Sequence, residues 1–323
     1  MSPVLDIVDL RVAYGDTEVL SGASVSVRRG ELLGLVGESG SGKSTLVQGA
    51  LRLLPFPAQI LGGRVLLDGV DLLGLSHAEL RRVWWNKVAL VPQNALSALN
   101  PMLTLREHFD ETLRAHGITD PAERRRRADA GMRRVELAPD RLNAHPHMLS
   151  GGMRQRVAIA LAMVLEPDVI VFDEPTTALD VVVERQILDQ ITALQAQQGF
   201  GAIFITHDLT LLQSIADRIA VLYAGQVMEN APVAELGGPK SHPYTRGLLG
   251  ALPPRLDEDR EAVAIPGAPP RVGSVPTGCP FAPRCGEVLD SCQTRPRLTE
   301  VAPQHLVACK KAEPGAPSGG GHP

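Results

Sequence analysis

The sequence predicts an α/β fold built on a parallel β-sheet, and three short apolar runs support this prediction. They are residues 31–36 (ELLGLV), 169–172 (VIVF) and 202–205 (AIFI). Continuous apolar runs are typical of strands covered on both faces, whereas a strand with one solvated face alternates apolar and polar residues. A glycine-rich loop, a carboxylate pair and a histidine follow the three runs. Because functional groups of parallel sheets lie at the carboxyl ends of the strands, we expect these groups to serve one site.

The glycine-rich loop after the first run, residues 37–45 (GESGSGKST), matches the phosphate-loop pattern G-x-x-x-x-G-K-[ST]. Its glycines let successive backbone N–H groups converge on phosphates, and the helix predicted over residues 44–54 directs its positive end at them. Lys43 is expected to reach the β- and γ-phosphates, Ser44 to bind Mg²⁺, and Thr45 to cap the helix or contact the α-phosphate. The residues of this loop predicted to bind the nucleotide are Gly37, Ser39, Gly40, Ser41, Gly42, Lys43, Ser44 and Thr45.

The carboxylate pair Asp173 and Glu174 ends the second run. At the end of a central parallel strand, Asp173 is expected to hold Mg²⁺ directly or through water. Glu174 is then expected to act as the base, or the orienter, of an attacking water molecule. His207 follows the third run and has a comparable position at a strand end.

A third motif, residues 149–153 (LSGGM), opens a helix predicted over residues 153–166. One phosphate loop leaves the γ-phosphate open on one side, so catalysis needs further donors. Ser150, Gly151 and Gly152 offer a hydroxyl, free N–H groups and the positive end of a helix.

Length and composition allow one large α/β core with a small appendage, at 323 residues and 44% hydrophobic. The net charge of −4 argues against nucleic-acid binding, which needs a basic footprint. The longest candidate apolar stretch, residues 157–165, is far shorter than the ~18 residues that span a bilayer. This stretch is therefore not expected to cross a membrane.

Strand, turn and proline signals predict the domain organisation. Residues 1–240 form a core domain with an N-terminal antiparallel β portion and a helical subdomain at about residues 94–165. Residues 241–312 form a C-terminal extension, and residues 313–323, rich in glycine and proline, are predicted to be disordered.

Cys279, Cys285, Cys292 and Cys309 all lie in the extension, and no cysteine precedes them. Structural disulfides are rare in the cytosol, where thiols are kept reduced. Four thiolates in one loop module could bind Zn²⁺ or an iron–sulfur cluster, although the spacings lack the short C-x₂₋₄-C knuckles usual for structural zinc. Free thiols or a disulfide are the remaining alternative.

The order of these motifs resembles the nucleotide-binding domain of the ABC family, which implies a P-loop NTPase fold and ATP hydrolysis. The resemblance spans residues 4 to about 230 and assigns further roles. Tyr14 matches the aromatic that stacks on adenine, and Gln93 the glutamine that senses Mg²⁺ and the membrane subunit. Asp180 lies in the loop at residues 178–180 that joins the two sites of a dimer, and His207 matches the switch histidine. The LSGGM segment matches the signature motif, which faces the ATP held by a partner subunit.

The extension resembles that of dipeptide and oligopeptide importer ATPases, on residues 242–249 (HPYTRGLL), 265–267 (IPG) and 278–285 (GCPFAPRC). Met153 further resembles the D-type subunit rather than its F-type partner. The resemblance implies an F-type ATPase partner, two permeases, an extracytoplasmic peptide-binding protein and a peripheral place on the cytoplasmic face of the cell membrane. Together with the cysteine spacing it favours a 4Fe-4S cluster over zinc. A nickel importer ATPase, an exporter ATPase and a soluble non-transport ABC protein are the alternatives.

Overall fold

The computed structural model describes residues 2–93, 99–177, 179–253, 261–271, 273 and 276–313. The chain divides into two compact units. The first unit consists of residues 1–5, 27–32 and 67–205, and the second unit of residues 6–26, 33–66 and 206–323.

The β-strands, in chain order, are β1 (Leu5–Tyr14), β2 (Thr17–Val27), β3 (Leu32–Val36), β4 (Ala58–Leu67), β5 (Val70–Asp71), β6 (Val88–Val91), β7 (Val169–Asp173), β8 (Gly201–Ile205), β9 (Arg218–Tyr223), β10 (Gln226–Pro232), β11 (Thr299–Ala302) and β12 (His305–Val307). The α-helices are α1 (Lys43–Ala50), α2 (His77–Val83), α3 (Leu105–Ala115), α4 (Pro121–Arg134), α5 (Gly151–Met163), α6 (Val181–Gln198), α7 (Leu209–Ile215) and α8 (Pro243–Gly250).

The first unit contains the parallel strands β6, β7 and β8, with β7 in the middle. All five residues of β7 and of β8 are buried, as expected for strands covered on both faces. Phe172 pairs with Phe204 across the two strands, and their ring centroids are 6.0 Å apart. The helices α3, α4 and α5 pack on one another in the segment predicted to be a helical subdomain, whose residues 94–98 lie outside the described residues.

The second unit contains the predicted antiparallel portion, in the order β2-β1-β4, and the strands β11-β12-β10-β9-β3. The strand β3 pairs with β9 in parallel, whereas β9, β10, β12 and β11 follow one another antiparallel. Strands from the C-terminal extension, β11 and β12, therefore continue the sheet begun by β3 and β9.

Several boundaries differ from the predicted ones. The helix after the phosphate loop ends at Ala50 rather than residue 54, because Arg52 takes a positive φ of 54° that a helix does not accept. The helix at the LSGGM motif begins at Gly151 and ends at Met163, and Glu166 has a positive φ of 56°. The strand β4 spans Ala58–Leu67 and lies beside β1 in the antiparallel portion.

Within the described residues, none of the helices combines the length and the hydropathy that a membrane crossing requires.

Candidate functional site: a phosphate loop, a carboxylate pair and a capped helix

The phosphate loop lies in the second unit, between β3 and α1. A Cβ atom on Gly37 would lie 2.1 Å from the carbonyl oxygen of Leu222 in β9, so no other residue fits there. Gly42 has a φ of 101° and would place a Cβ 2.8 Å from a methyl group of Leu20. These close approaches explain why the loop needs glycine at both positions. The loop can therefore turn tightly and expose its backbone N–H groups.

Lys43 opens α1, and its side chain folds back over the loop. The Nζ atom donates to the carbonyl oxygens of Gly37, at 2.8 Å, and Glu38, at 3.2 Å. The first turn of α1 contains no acidic residue, so no side chain there offsets the positive end of the helix dipole. The Ser41 hydroxyl is buried and has no hydrogen-bond partner in the part of the chain that the structure describes. A cation, a helix terminus and a hydroxyl thus meet at one loop, which is the chemistry that phosphates require.

The carboxylate pair lies in the first unit, at the end of β7. Asp173 is buried, and Glu174 takes a positive φ of 46° while its N–H donates to Ile205 at 3.0 Å. The same carboxylate oxygen of Glu174 accepts from the amide of Gln93 at 2.8 Å and from the hydroxyl of Thr177 at 3.1 Å. A non-glycine residue in this region of φ/ψ is held there by its surroundings, and such positions cluster at active sites.

The signature-like segment forms the N-terminus of α5, also in the first unit. Ser150 is the N-cap residue, and its hydroxyl accepts from the N–H of Met153 at 3.3 Å. A Cβ on Gly152 would lie 2.5 Å from a methyl group of Val183 in α6. Asp180 caps α6 by accepting from the N–H of Val183 at 3.0 Å, whereas Ala178 lies outside the described residues. The structure therefore brings Ser150, Gly151, Gly152 and Asp180 together, which sequence spacing could not show.

Two further predicted residues, Tyr14 and His207, belong to the second unit. Tyr14 ends β1 and is half-buried. The exposed His207 follows Thr206, whose N–H donates to Leu35 of β3 at 3.2 Å. The sequence analysis missed one group of contacts, which join the phosphate-loop residue Glu38 to Arg284 and Tyr244. No local pattern signals them, because the partners are more than 200 residues apart.

The four cysteines are free thiols in the second unit, and Cys292 lies in a short 3₁₀ helix, Asp290–Gln293. Burial raises the pKa of the Cys279 thiol to about 11 and raises the pKa of Cys285 and Cys309. The backbone N–H groups of Glu287 and Leu289 donate to the sulfur atoms of Cys285, at 3.3 Å, and Cys292, at 3.4 Å. Across the described ranges, no group of three or more His, Cys, Asp or Glu side chains could hold a metal ion.

Comparison with known proteins agrees with this geometry. Residues 20–177 match the ABC transporter family, and residues 228–292 match the C-terminal region of oligopeptide/dipeptide transporters. The dipeptide transport ATP-binding protein DppD of Caldanaerobacter subterraneus subsp. tengcongensis is 39% identical over 290 residues, which cover 88% of this chain and 89% of that protein. The oligopeptide transport ATP-binding protein OppD of Mycobacterium tuberculosis is 43% identical over 323 residues, 97% of this chain but 52% of that protein. The chain thus spans about half the length of this second relative.

A solved dimeric ATP-binding cassette, in a post-hydrolysis state bound to ADP and Pi, matches with a TM-score of 0.63 and 28% identity. The match covers 71% of this chain and 98% of that one. The predicted α/β fold of the P-loop NTPase kind is confirmed by this likeness. The chain therefore belongs to the ATP-hydrolysing subunits of ABC transporters, in the branch that carries the oligopeptide/dipeptide transporter C-terminal region.

Proposed function

We propose that this chain is the ATPase subunit that drives an importer of dipeptides or oligopeptides. The observation that carries the proposal is the presence, in one chain, of a phosphate loop with intact geometry and an extension matching the C-terminal region of oligopeptide/dipeptide transporters at residues 228–292. The proposed domains are those predicted from the sequence: the ATPase core at residues 1–240, the extension at 241–312 and a tail at 313–323.

The phosphate loop is proposed to bind the triphosphate of ATP. Lys43 compensates the charge of the β- and γ-phosphates, while Gly40, Gly42 and the N-terminus of α1 supply N–H donors. Ser39, Ser41 and Thr45 add hydroxyl groups, and Tyr14 stacks on the adenine. Ser44, Asp173 and Gln93 would hold Mg²⁺, because hydroxyl, carboxylate and amide oxygens are the ligands that this cation prefers. The metal would neutralise charge on the phosphate oxygens.

Glu174 is proposed to orient the water that attacks the γ-phosphate. Gln93 and Thr177 bind the same oxygen of Glu174, which restricts the rotation of its carboxylate. A fixed carboxylate can accept a proton from water in one geometry, and orientation of this kind is a large part of phosphoryl-transfer catalysis. His207 is proposed to contact the γ-phosphate and to report its loss.

The capped N-terminus of α5 is proposed to act on the ATP of a second ATPase subunit, together with Asp180. ATP would then join two subunits and hydrolysis would release them, so one phosphate would bias a two-state equilibrium. The proposed partners are an F-type ATPase subunit, two permeases and an extracytoplasmic peptide-binding protein. The chain would lie peripherally on the cytoplasmic face of the membrane.

For the four cysteines we propose a 4Fe-4S cluster, with zinc as the alternative. Support comes from the donor set of Cys279, Cys285, Cys292 and Cys309, and from the N–H groups that donate to two of the sulfurs. The thiols do not form a preorganised single-ion site in the described residues. A 4Fe-4S cluster takes four cysteine thiolates as its ligands, and this segment supplies four cysteines.

The test is reconstitution of the chain with two permeases and an F-type ATPase in vesicles that contain the binding protein. We expect ATP-dependent uptake of labelled peptides, and no uptake when this chain is omitted or carries Lys43→Ala. Uptake of Ni²⁺ without peptide uptake would contradict the peptide proposal and favour the nickel alternative. Full uptake with this chain as the sole ATPase would contradict the heterodimer.

A further inference from the structure

The second residue of the phosphate loop, Glu38, is held by side chains that lie far from it in the sequence. Both oxygens of its carboxylate accept from the guanidinium of Arg284, at 2.7 Å and 3.0 Å. Its backbone N–H donates to the hydroxyl of Tyr244 at 3.2 Å. A two-point ion pair of this kind fixes orientation as well as distance.

Arg284 is itself immobilised. Its Nε donates to the carbonyl oxygen of Pro266 at 2.9 Å, and one terminal nitrogen also lies 3.3 Å from the hydroxyl of Tyr223. The rings of Tyr223 and Phe281 lie 5.7 Å and 6.0 Å from the guanidinium carbon. Its side chain is only 5% exposed, against 26% for Glu38. A cation buried this far is costly without a partner, so Glu38 and Arg284 depend on each other.

Arg284 lies between two of the four cysteines of the extension, in the segment at residues 279–309. Arg284 ends a short 3₁₀ helix, Ala282–Arg284, that lies between Cys279 and Cys285. Three bonds between backbone N–H groups and carbonyl oxygens hold it: Ala282 donates to Cys279 at 3.1 Å, Cys285 donates to Ala282 at 3.2 Å, and Cys279 donates to Cys292 at 2.8 Å. The position of the guanidinium is therefore set by the folded extension.

Glu38 in turn determines the position of catalytic groups in its own loop. Its carbonyl oxygen accepts from the N–H of Ser41 at 3.1 Å and from the Nζ of Lys43 at 3.2 Å. A shift of Glu38 would move the acceptor that orients the lysine. Its carboxylate would also repel phosphates if no cation offset it.

We propose that Arg284 is a positioning residue for ATP binding: by neutralising and fixing Glu38, it holds the phosphate loop ready for the triphosphate. The inference rests on the proposed role of this loop. Preorganisation lowers the entropic cost of binding, and neutralisation removes a repulsive charge beside the phosphates. The C-terminal extension is thereby part of the nucleotide site rather than an independent appendage.

The test measures the Kd of Mg·ATP for the full-length purified chain at a temperature well below its unfolding transition. The melting temperature of each variant is measured separately. Arg284→Gln is expected to raise the Kd about tenfold, as loss of hydrogen bonds to a charged group predicts. Glu38→Gln is expected to raise it less, because the orienting contact is weakened without leaving a free carboxylate. The double variant should return to the Kd of Glu38→Gln, since the repulsive charge is gone. Arg246→Gln is the matched control, because this arginine pairs with Glu287 in the same extension.

The possible outcomes separate the explanations. A purely structural role for Arg284 predicts a lower melting temperature with an unchanged Kd, and it would overturn the proposal, as would additive effects in the double variant. If Arg284→Gln does not fold, Glu38→Gln and Tyr244→Phe must each raise the Kd, and an unchanged Kd in either variant would overturn the proposal. Lys43→Ala tests the loop itself. If Lys43→Ala leaves ATP binding unchanged, the proposed ATP site is wrong. If Lys43→Ala abolishes ATP binding and Arg284→Gln has no effect on the Kd, only the inference about Arg284 is wrong.

Discussion

The phosphate loop and the C-terminal extension belong to the same compact unit, yet they are held in different ways. The loop is shaped by its own backbone, because a Cβ on Gly37 would lie 2.1 Å from the carbonyl oxygen of Leu222 and Gly42 has a φ of 101°. The extension is held by side chains, among them a cluster of aromatic rings and the pair of Arg284 with Glu38. A loop whose shape depends on its own backbone can be predicted from a short stretch of sequence. A segment held by side chains from distant parts of the chain can be recognised only in the folded structure.

The largest effect is expected from Glu174→Gln, which tests the carboxylate at the end of β7. The amide keeps the shape of the side chain but cannot accept a proton from water, so ATP should still bind while turnover in the assembled transporter falls at least about 100-fold. Steady-state ATPase rates and the Kd of Mg·ATP measure the two effects. Glu184→Gln, which changes an acidic residue in the first turn of α6, is the control and should leave turnover unchanged. Turnover near that of the unchanged chain would refute the role of Glu174.

Replacement of a cysteine tests whether the extension is a separate folding element. If the extension holds the proposed cluster, Cys279→Ser should remove the metal and loosen the extension, because metal binding gathers a loop with little apolar sequence of its own. Protein purified without air should be brown and contain about four iron atoms per chain, and the variant should be colourless. The Kd of Mg·ATP should rise no further than in Arg284→Gln, since the phosphate loop keeps its own backbone geometry.

Ser291→Ala serves as the control for Cys279→Ser and should retain iron and colour. Stoichiometric zinc without iron in anaerobic protein would replace the cluster by a zinc module. Complete loss of ATP binding in Cys279→Ser would contradict the expectation that the phosphate loop keeps its shape when the extension is loosened.

The sequence predicted the loop and the strand that carry the proposed site, because each is a short pattern with a strict backbone requirement. Residues 37–45 were recognised as a phosphate loop, and the apolar run before Asp173 as a buried parallel strand. The contact of Gln93 with Glu174 could not be predicted, because 81 residues separate them and no periodicity links them. The pairing of Arg284 with Glu38, 246 residues apart, escaped prediction for the same reason.

The first unit also contains a glycine whose backbone position leaves no room for a side chain, Gly152. A methyl group on Gly152 would lie 2.5 Å from a methyl of Val183, a branched side chain with little freedom to move. Gly152→Ala should therefore lower the free energy of unfolding by about 1–3 kcal/mol, measured by urea denaturation. The additional change Val183→Ala should remove most of this strain. Gly151→Ala is the matched control, because its Cβ would lie at an ordinary 3.4 Å from Leu179. Equal effects at Gly151 and Gly152 would contradict the steric explanation.

The smallest expected effect concerns a buried histidine that anchors the extension. His242 is 1% exposed and caps α8, and its backbone N–H donates to the carboxylate of Glu229 at 2.8 Å. Burial, reinforced by the nearby Arg246 and opposed by Glu287, lowers the pKa of His242 to about 3. The imidazole is therefore neutral in the folded protein, whereas in the unfolded chain it takes up a proton below its ordinary pKa of about 6.5.

Because the unfolded state binds more protons between pH 3 and 6.5, the contribution of His242 is complete above pH 6.5 and is lost as the pH falls. Between pH 7 and pH 5 the loss amounts to about 2 kcal/mol. His242 caps α8 by accepting from the N–H of Tyr244 at Nδ1, and His242→Asn supplies a side-chain oxygen for this bond that does not titrate. Its free energy of unfolding should therefore fall less over this interval than that of the unchanged chain. Urea denaturation at both pH values measures the difference, and parallel declines in the two proteins would show that protonation of His242 does not limit the stability of the extension.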